Sequence, residues 1–212
     1  CDEGRLSYTN EANNRFETPL VNKNETNVDN TITNMFKELT TNKNILFVLS
    51  ANLSIEEMQN VKNLASKLNV DVSGYSPNTF DESFADDYLR TNDRTANRAA
   101  FKELQIDESK EYFDEKLNKA SLVIIVENSY FENNANLLEN KKVISLFSHH
   151  CMTIGYSNVA IPVASFYEKS GTYININGIK QKVISKMNKN NPMQSITTVI
   201  EDLKSMIEKG TV

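Results

Sequence analysis

The sequence has no tryptophan and only two cysteines, four prolines, six glycines and two histidines among 212 residues. Each shortage excludes something. Cys1 and Cys151 allow at most one disulfide, which is not the density of a small secreted scaffold and favours a reducing compartment. The glycines form neither a G-x-G-x-x-G nor a G-x-x-x-x-G-K-S/T loop, so no backbone cradle for a pyrophosphate exists and autonomous NAD or ATP binding is not expected. No apolar run approaches the roughly 18 residues that span a bilayer, and no stretch has the charged start and apolar middle of a signal peptide. Basic residues are outnumbered, 23 Lys and Arg against 28 Asp and Glu, and the formal net charge of -5 repels phosphate backbones. With no basic stripe interleaved with aromatics, nucleic acid is not an expected partner.

The residues that are present describe an ordered chain with ragged loops. Hydrophobic content is 39%, and asparagine is abundant between the periodic segments, where it suits caps and turns. A compact form of this length buries roughly 70% of the surface its unfolded chain exposes. Thr9 to Asn27, polar and containing Pro19, reads as an extended connector. Val28 to Leu39 places Ile32, Met35, Phe36 and Leu39 on one helical face. Ile45 to Leu49 is a buried-strand run, Ser54-Ile55-Glu56-Glu57 is a capping box opening a helix to about Leu68, and Val70 to Ser73 is a shorter strand. Further helices are expected at Ala96 to Leu104, after Ser109, and from Tyr130 to Leu138, with strands at Leu122 to Val126 and Val143 to Phe147. Phe80, Phe84 and Tyr88 are expected to pin an irregular stretch, Thr79 to Asn92, to the core. Ile196, Val199, Ile200, Leu203 and Ile207 mark a last helix stopping at Gly210. The repeated alternation predicts an α/β fold: an open, mainly parallel sheet flanked by helices, with a C-terminal β-hairpin and a terminal helix.

The hairpin belongs to the most informative stretch, Val159 to Val183. A short strand through Val159, Ile161 and Val163 ends around Pro162, which cannot donate to a sheet ladder. Thr172 to Ile176 suits a pleated surface, and Asn177-Gly178 suits a two-residue turn with φ > 0 at both centres. The order strand-Pro, Glu168-Lys169, Gly171-Thr172, Asn175, Gly178 resembles the large iron-sulfur subunit of NADH-quinone oxidoreductase, respiratory complex I. Asp86-Asp87-Tyr88-Leu89-Arg90 with Asp93-Arg94-Thr95-Ala96-Asn97-Arg98 resembles that family's Asp-Asp-aromatic-Leu and Arg/Lys-Thr-Pro-Asn-Arg segments, with Ala96 in place of the proline. Cys1-Asp2-Glu3-Gly4-Arg5 resembles the segment around the last cysteine of its 4Fe-4S motif.

The resemblance implies residues 1-27 as the end of an iron-sulfur motif plus connector, and residues 28-212 as a molybdopterin-oxidoreductase-like domain. It makes Cys1 a metal ligand, one of four cluster thiolates, the others lying upstream of a chain that begins without methionine. It further implies a scaffold in electron transfer from NADH to quinone, among peripheral-arm subunits of complex I, cytoplasmic and peripheral to the inner membrane without inserting into it. No molybdopterin is expected, because Ser50-Ala51-Asn52, Glu127-Asn128-Ser129 and Ser148-His149-His150 at the strand ends contain no glycine. The iron-sulfur subunit of a soluble NAD-linked formate dehydrogenase or hydrogenase is the related alternative. A lipid-anchored α/β ligand-binding lipoprotein, beginning at its cysteine, is the alternative from another class. His149-His150-Cys151 combines metal-binding residue types, but neighbours at a strand end point apart. Asp86, Asp87 and Asp93 lack a calcium-loop pattern and are expected to pair with Arg90, Arg94 and Arg98.

Overall fold

In a computed structural model, which describes residues 9, 11–88, 90–185 and 193–210, the apolar runs become a seven-stranded sheet. Its strands are β1 (Leu20–Val21), β2 (Asn24–Glu25), β3 (Ile45–Leu49), β4 (Asp71–Ser73), β5 (Leu122–Val126), β6 (Lys142–Phe147) and β7 (Val159–Pro162), in the order β2-β1-β7-β6-β5-β3-β4. Strands β3 to β7 are parallel to one another. Each βα crossover must return over a face of the sheet, so both faces are covered and the central strands carry no polar alternation. Side chains therefore sort by parity. Phe47, Leu49, Ile124, Val126, Ile144 and Ile161 pack on one face, while Leu46, Val48, Val123, Ile125, Val143 and Ala160 pack on the other.

The first face is covered by α1 (Val28–Thr41), α2 (Ile55–Leu68), α3 (Ala99–Glu103) and α6 (Ile196–Lys209). The second lies under α4 (Lys110–Lys119), two 3-10 turns, and α5 (Met152–Tyr156). Local chemistry fixes the helix starts. Asn27 accepts from the Asn30 N–H at 2.8 Å, and Ser54 and Glu57 form the reciprocal capping box, 3.2 and 2.9 Å. The last helix stops at Gly210, which adopts φ +59°.

The stretch read as a connector contributes to the sheet: β1 pairs antiparallel with β7, Leu20 against Ala160, and Phe16 is fully buried with its N–H donating to the Ser148 carbonyl at 3.1 Å. The region 130–138 forms two 3-10 turns, Ser129–Glu132 and Ala135–Leu138, because Asn134 donates its side chain to the Tyr130 carbonyl, competing with helix propagation. The aromatics of residues 79–92 do not anchor to the core: Tyr88 is 92% exposed, and Phe80 and Phe84 stack under Arg98 and Arg94, 4.3 and 4.9 Å from guanidinium carbon to ring centroid.

The second sheet is the hairpin of β8 (Gly171–Ile174) and β9 (Lys180–Val183). Its turn differs from the expected two-residue form. Gly178 has φ +77°, Asn177 is not left-handed, and the Gly178 N–H donates to the Asn175 carbonyl at 2.9 Å. The loop is therefore three residues, 176–178, with the left-handed residue last, and the Asn175 carboxamide oxygen accepts from the N–H groups of Asn177 and Ile179. Gly178→Val places a β-branched residue at φ +77° in open space, so its cost is backbone strain without a clash. We expect a loss of about 1–3 kcal/mol in chemical denaturation; an unchanged midpoint would contradict the turn geometry.

Candidate functional site at the carboxyl edge of the sheet

Numbered within the parallel block alone, the strand order is 2-1-3-4-5, with the reversal between β3 and β5. Sheets of this kind bind ligands in the crevice at such a reversal, beyond the carboxyl ends of the strands. Here the crevice is filled from within. Asn128, 1% exposed, donates one amide hydrogen to the Leu49 carbonyl (2.9 Å) and the other to the Tyr75 carbonyl (3.1 Å), tying β5 to β3 and to the chain leaving β4. Beside it Tyr75 stacks on Phe113 at 4.6 Å, and Tyr130 sets its edge to both rings at 5.1 and 5.6 Å.

A cavity of about 180 Å³ lies beside this plug, among Glu127, Ser148, His149, Lys169, Asn52 and Phe166. That is below the roughly 300 Å³ at which small-molecule pockets begin, so it admits a few atoms and no nucleotide. Glu127 follows the last residue of β5 in a left-handed conformation, φ +52°, uncommon for a residue with a long side chain. One carboxylate oxygen accepts the Ser148 N–H at 2.7 Å. Burial pushes the Glu127 carboxyl above the usual carboxylate range, against the opposing pull of Lys169. The His149 Nε2 faces the Glu11 carbonyl oxygen at 3.2 Å, which can only accept, so Nε2 donates there, and Nδ1 lies 3.0 Å from the Ser148 hydroxyl.

Lys169 reaches across this edge to Glu57, with Nζ 2.9 Å from each carboxylate oxygen and both side chains nearly sealed from solvent, 7% and 3% exposed. The segment carrying it docks on the first turn of α2: the Thr172 N–H and hydroxyl donate to Glu56 at 2.8 and 2.6 Å. Burial works to raise the Glu56 carboxyl, but the Thr172 bonds outweigh it and hold the group below its ordinary value. Gly171 is required by contact, since a Cβ there would run into the Ser54 side chain.

The other sequence candidates are dispersed. His150 sets its ring edgewise to Phe16 at 5.3 Å, His149 faces the cavity, and Cys151 precedes α5 with its thiol pushed up to about 11 by burial, so it is a poor thiolate donor. Among the described residues no three His, Cys, Asp or Glu side chains converge as a metal site. Cys1 lies outside the described residues. Asp86 pairs with Arg90 and Asp93 with Arg98, both at 2.8 Å, as expected, whereas Arg94 faces Asp81 at 3.7 Å. Arg98 also bonds Glu108 and Thr79 and organises the loop. A wider dent of about 370 Å³ is bounded by residues 91–93, 95–99 and 174–176. Its charged groups are already satisfied by one another.

No family model matches the sequence, and no curated protein matches it. Solved structures do. One match is a chain of the formyltransferase/hydrolase complex FhcABCD from Methylorubrum extorquens, in complex with methylofuran, with a TM-score of 0.51 and 9% identity over 92% of this chain and 100% of that one. The likeness is one of fold. It overturns the reading as the large iron-sulfur subunit of complex I, and with it the assignments to iron-sulfur electron transfer, NADH dehydrogenase, quinone reduction and the respiratory chain; the formate dehydrogenase or hydrogenase and lipoprotein alternatives gain no support either. The motif residues have local explanations instead. Lys169 is half of a buried ion pair, Gly171 permits a close approach, and Asn97, fully buried, bridges backbone. Among the described residues no helix is long and apolar enough to cross a membrane.

Glu127 supplies a pH prediction. A raised carboxyl binds its proton more tightly in the folded chain, so its contribution is intact below the ordinary carboxylate value and is lost as pH rises through the raised one. Glu127→Gln keeps the acceptor for the Ser148 N–H without the charge. Its stability should match wild type in acid and exceed it at neutral pH, as read by urea denaturation across pH. A variant less stable than wild type at neutral pH would show that the ionised carboxylate is favoured in place.

Proposed function

We propose that this chain is a non-catalytic α/β domain that works by holding partner proteins in a multi-subunit assembly. The observation that carries this reading is the plugged reversal between β3 and β5: the place where such a sheet takes a ligand is spent on Asn128 and three aromatic rings. The cavity beside that plug is too small for a nucleotide or flavin, and its cation is consumed by Glu57. Agreement comes from the structural neighbour, which is part of a complex. At 9% identity, nothing of that complex's chemistry transfers.

The test is native separation of an extract containing the endogenous chain, followed by mass spectrometry of each fraction. The chain should migrate with other proteins at constant ratio, and NADH, FMN or ATP should leave the melting temperature of the purified chain unchanged. Migration as a free monomer, or a saturable rise in melting temperature with any of the three, would overturn the reading.

A further inference from the structure

Among the described residues, no strand pairs with the outer edge of β9 in the β8–β9 hairpin. In β8 the Thr172 and Ile174 N–H groups point away from β9, the first to Glu56 and the second to the Asn97 carboxamide oxygen at 2.7 Å. In an antiparallel pair, residues opposite one another either exchange both backbone bonds or exchange neither. Thr172 stands opposite Lys182 and Ile174 opposite Lys180, so both are non-bonded pairs. The N–H and C=O of Lys180 and Lys182 therefore point outward from the hairpin. The side chains around this edge are exposed, including Ile179 at 56% and Ile184 at 66%.

The charged residues of β9, Lys180 and Lys182, are basic in a chain whose formal net charge is -5. Between Glu168 and Glu201 the sequence has five lysines and no Asp or Glu. Of these, Lys169 is spent on Glu57 in the interior, and Lys180 and Lys182 lie on β9 itself. Lys180 pairs with Glu103 at 2.7 Å on the surface, and no ion pair engages Lys182 among the described residues. Lysine on an open strand also disfavours pairing between two copies, because like charges would meet across the new ladder. An acidic strand meets no such repulsion.

We propose that β9 accepts, as a third strand, an extended segment of a partner protein with carboxylates at alternate positions and aliphatic residues between them. The outward backbone groups of Lys180 and Lys182 supply the ladder bonds, their ammonium groups select the acidic strand, and Ile179, on the face opposite the lysines, buries against its aliphatic residues. The inference names the surface through which the proposed assembly role is exercised and rests on that reading.

The probe is a short synthetic peptide alternating Glu with Val, added to the purified chain, with fluorescence anisotropy for binding and amide hydrogen exchange for position. Binding should protect the Lys180 and Lys182 amides and weaken as salt rises toward about 0.5 M. It should weaken by at least about tenfold, roughly 1.4 kcal/mol, in Lys182→Glu, whose exposed side chain leaves the melting temperature unchanged. A peptide with Lys in place of Glu, or with Pro at the ladder positions, should not bind. Unprotected amides, equal binding of the Lys peptide, or indifference to Lys182→Glu would each overturn the proposal. So would Lys182-dependent sedimentation with vesicles of phosphatidylcholine and phosphatidylserine without peptide binding, which would make the hairpin a membrane contact. These outcomes are separate from the assembly reading. A chain that migrates in a complex yet ignores the peptide sinks only this inference, and a chain that migrates alone sinks the reading beneath it.

Discussion

Lys169→Met is expected to lower folding stability by about 3–5 kcal/mol, the cost of removing one partner from a buried ion pair. The methionine stem can follow the path of the lysine methylenes, so little packing is lost. What remains is the Glu57 carboxylate, 3% exposed, accepting the Ser54 N–H at 2.9 Å with no cation beside it among the described residues. It then stands near Glu127, whose ionised form Lys169 also favours, so two carboxyls lose one cation. The magnitude follows from what is left unpaired more than from the strength of the pair. Glu57→Gln with Lys169→Met should therefore recover most of the loss, because an apolar stem facing a neutral amide carries no stranded charge. Equilibrium urea denaturation at neutral pH, with the single and double variants measured together, gives the cycle. A single-variant loss under about 1 kcal/mol would mean that water reaches Glu57 and that the pair is effectively a surface one.

What can be read in the sequence is set by strength of pattern. The runs at 45–49 and 122–126 have one solution in a chain of this length, since five apolar residues without alternation must be covered on both faces. The capping box at Ser54 and Glu57 and the stop at Gly210 are equally explicit, because each is a stereochemical requirement expressed in a few adjacent residues. The two-residue strands β1 and β2 have no period to detect; the place of β1 comes from pairing with β7 more than a hundred residues later, and β2 then folds back on β1. The turns at 129–138 pass for helix because their apolar spacing is helical, while the asparagines that break them act through side-chain bonds to backbone.

The site is less legible than the fold for a different reason. The residues that resemble an activity motif are ones the fold itself demands. Only glycine fits against Ser54 at position 171, and a lysine at 169 answers a glutamate that caps a helix 112 residues earlier. A motif of this kind reports which backbones must meet, and that is shared by proteins with unrelated chemistry. One sequence signal does point to the edge. Glu127-Asn128 directly after an unbroken apolar strand places a charge and an amide at the carboxyl end of the sheet. Which of them plugs the crevice and which faces the cavity depends on the left-handed turn at Glu127, a conformation that residue type does not announce.

Asn97→Asp is expected to lower stability at neutral pH by about 3 kcal/mol, with a loss that shrinks in acid. Asn97 is fully buried and works through both ends of its side chain: the amide donates to the Leu53 carbonyl at 2.7 Å, and the carboxamide oxygen accepts from the Ile174 N–H at 2.7 Å. Its own N–H reaches the Ala51 carbonyl at 2.9 Å. One residue thus joins the loop after β3 to the hairpin strand β8. Aspartate keeps the acceptor for Ile174 and turns the donor into an oxygen facing a carbonyl, two acceptors with no hydrogen between them. Protonation repairs this, because a carboxylic acid donates where the amide did. The proton is held more tightly in the folded variant than in its unfolded chain. Stability should therefore fall as pH rises, by at most about 1.4 kcal/mol per pH unit for a single proton, and level off above the raised value. Asn97→Ala loses both bonds without gaining a titrating group and should be destabilised by about 2–3 kcal/mol at every pH, relative to wild type. Hydrogen exchange separates the two further: the Ile174 amide should stay protected in the aspartate variant and exchange faster in the alanine one. An aspartate variant that follows the wild-type pH profile would show that the amide hydrogen is not needed at Leu53, and that the loop and the hairpin are held together by packing alone.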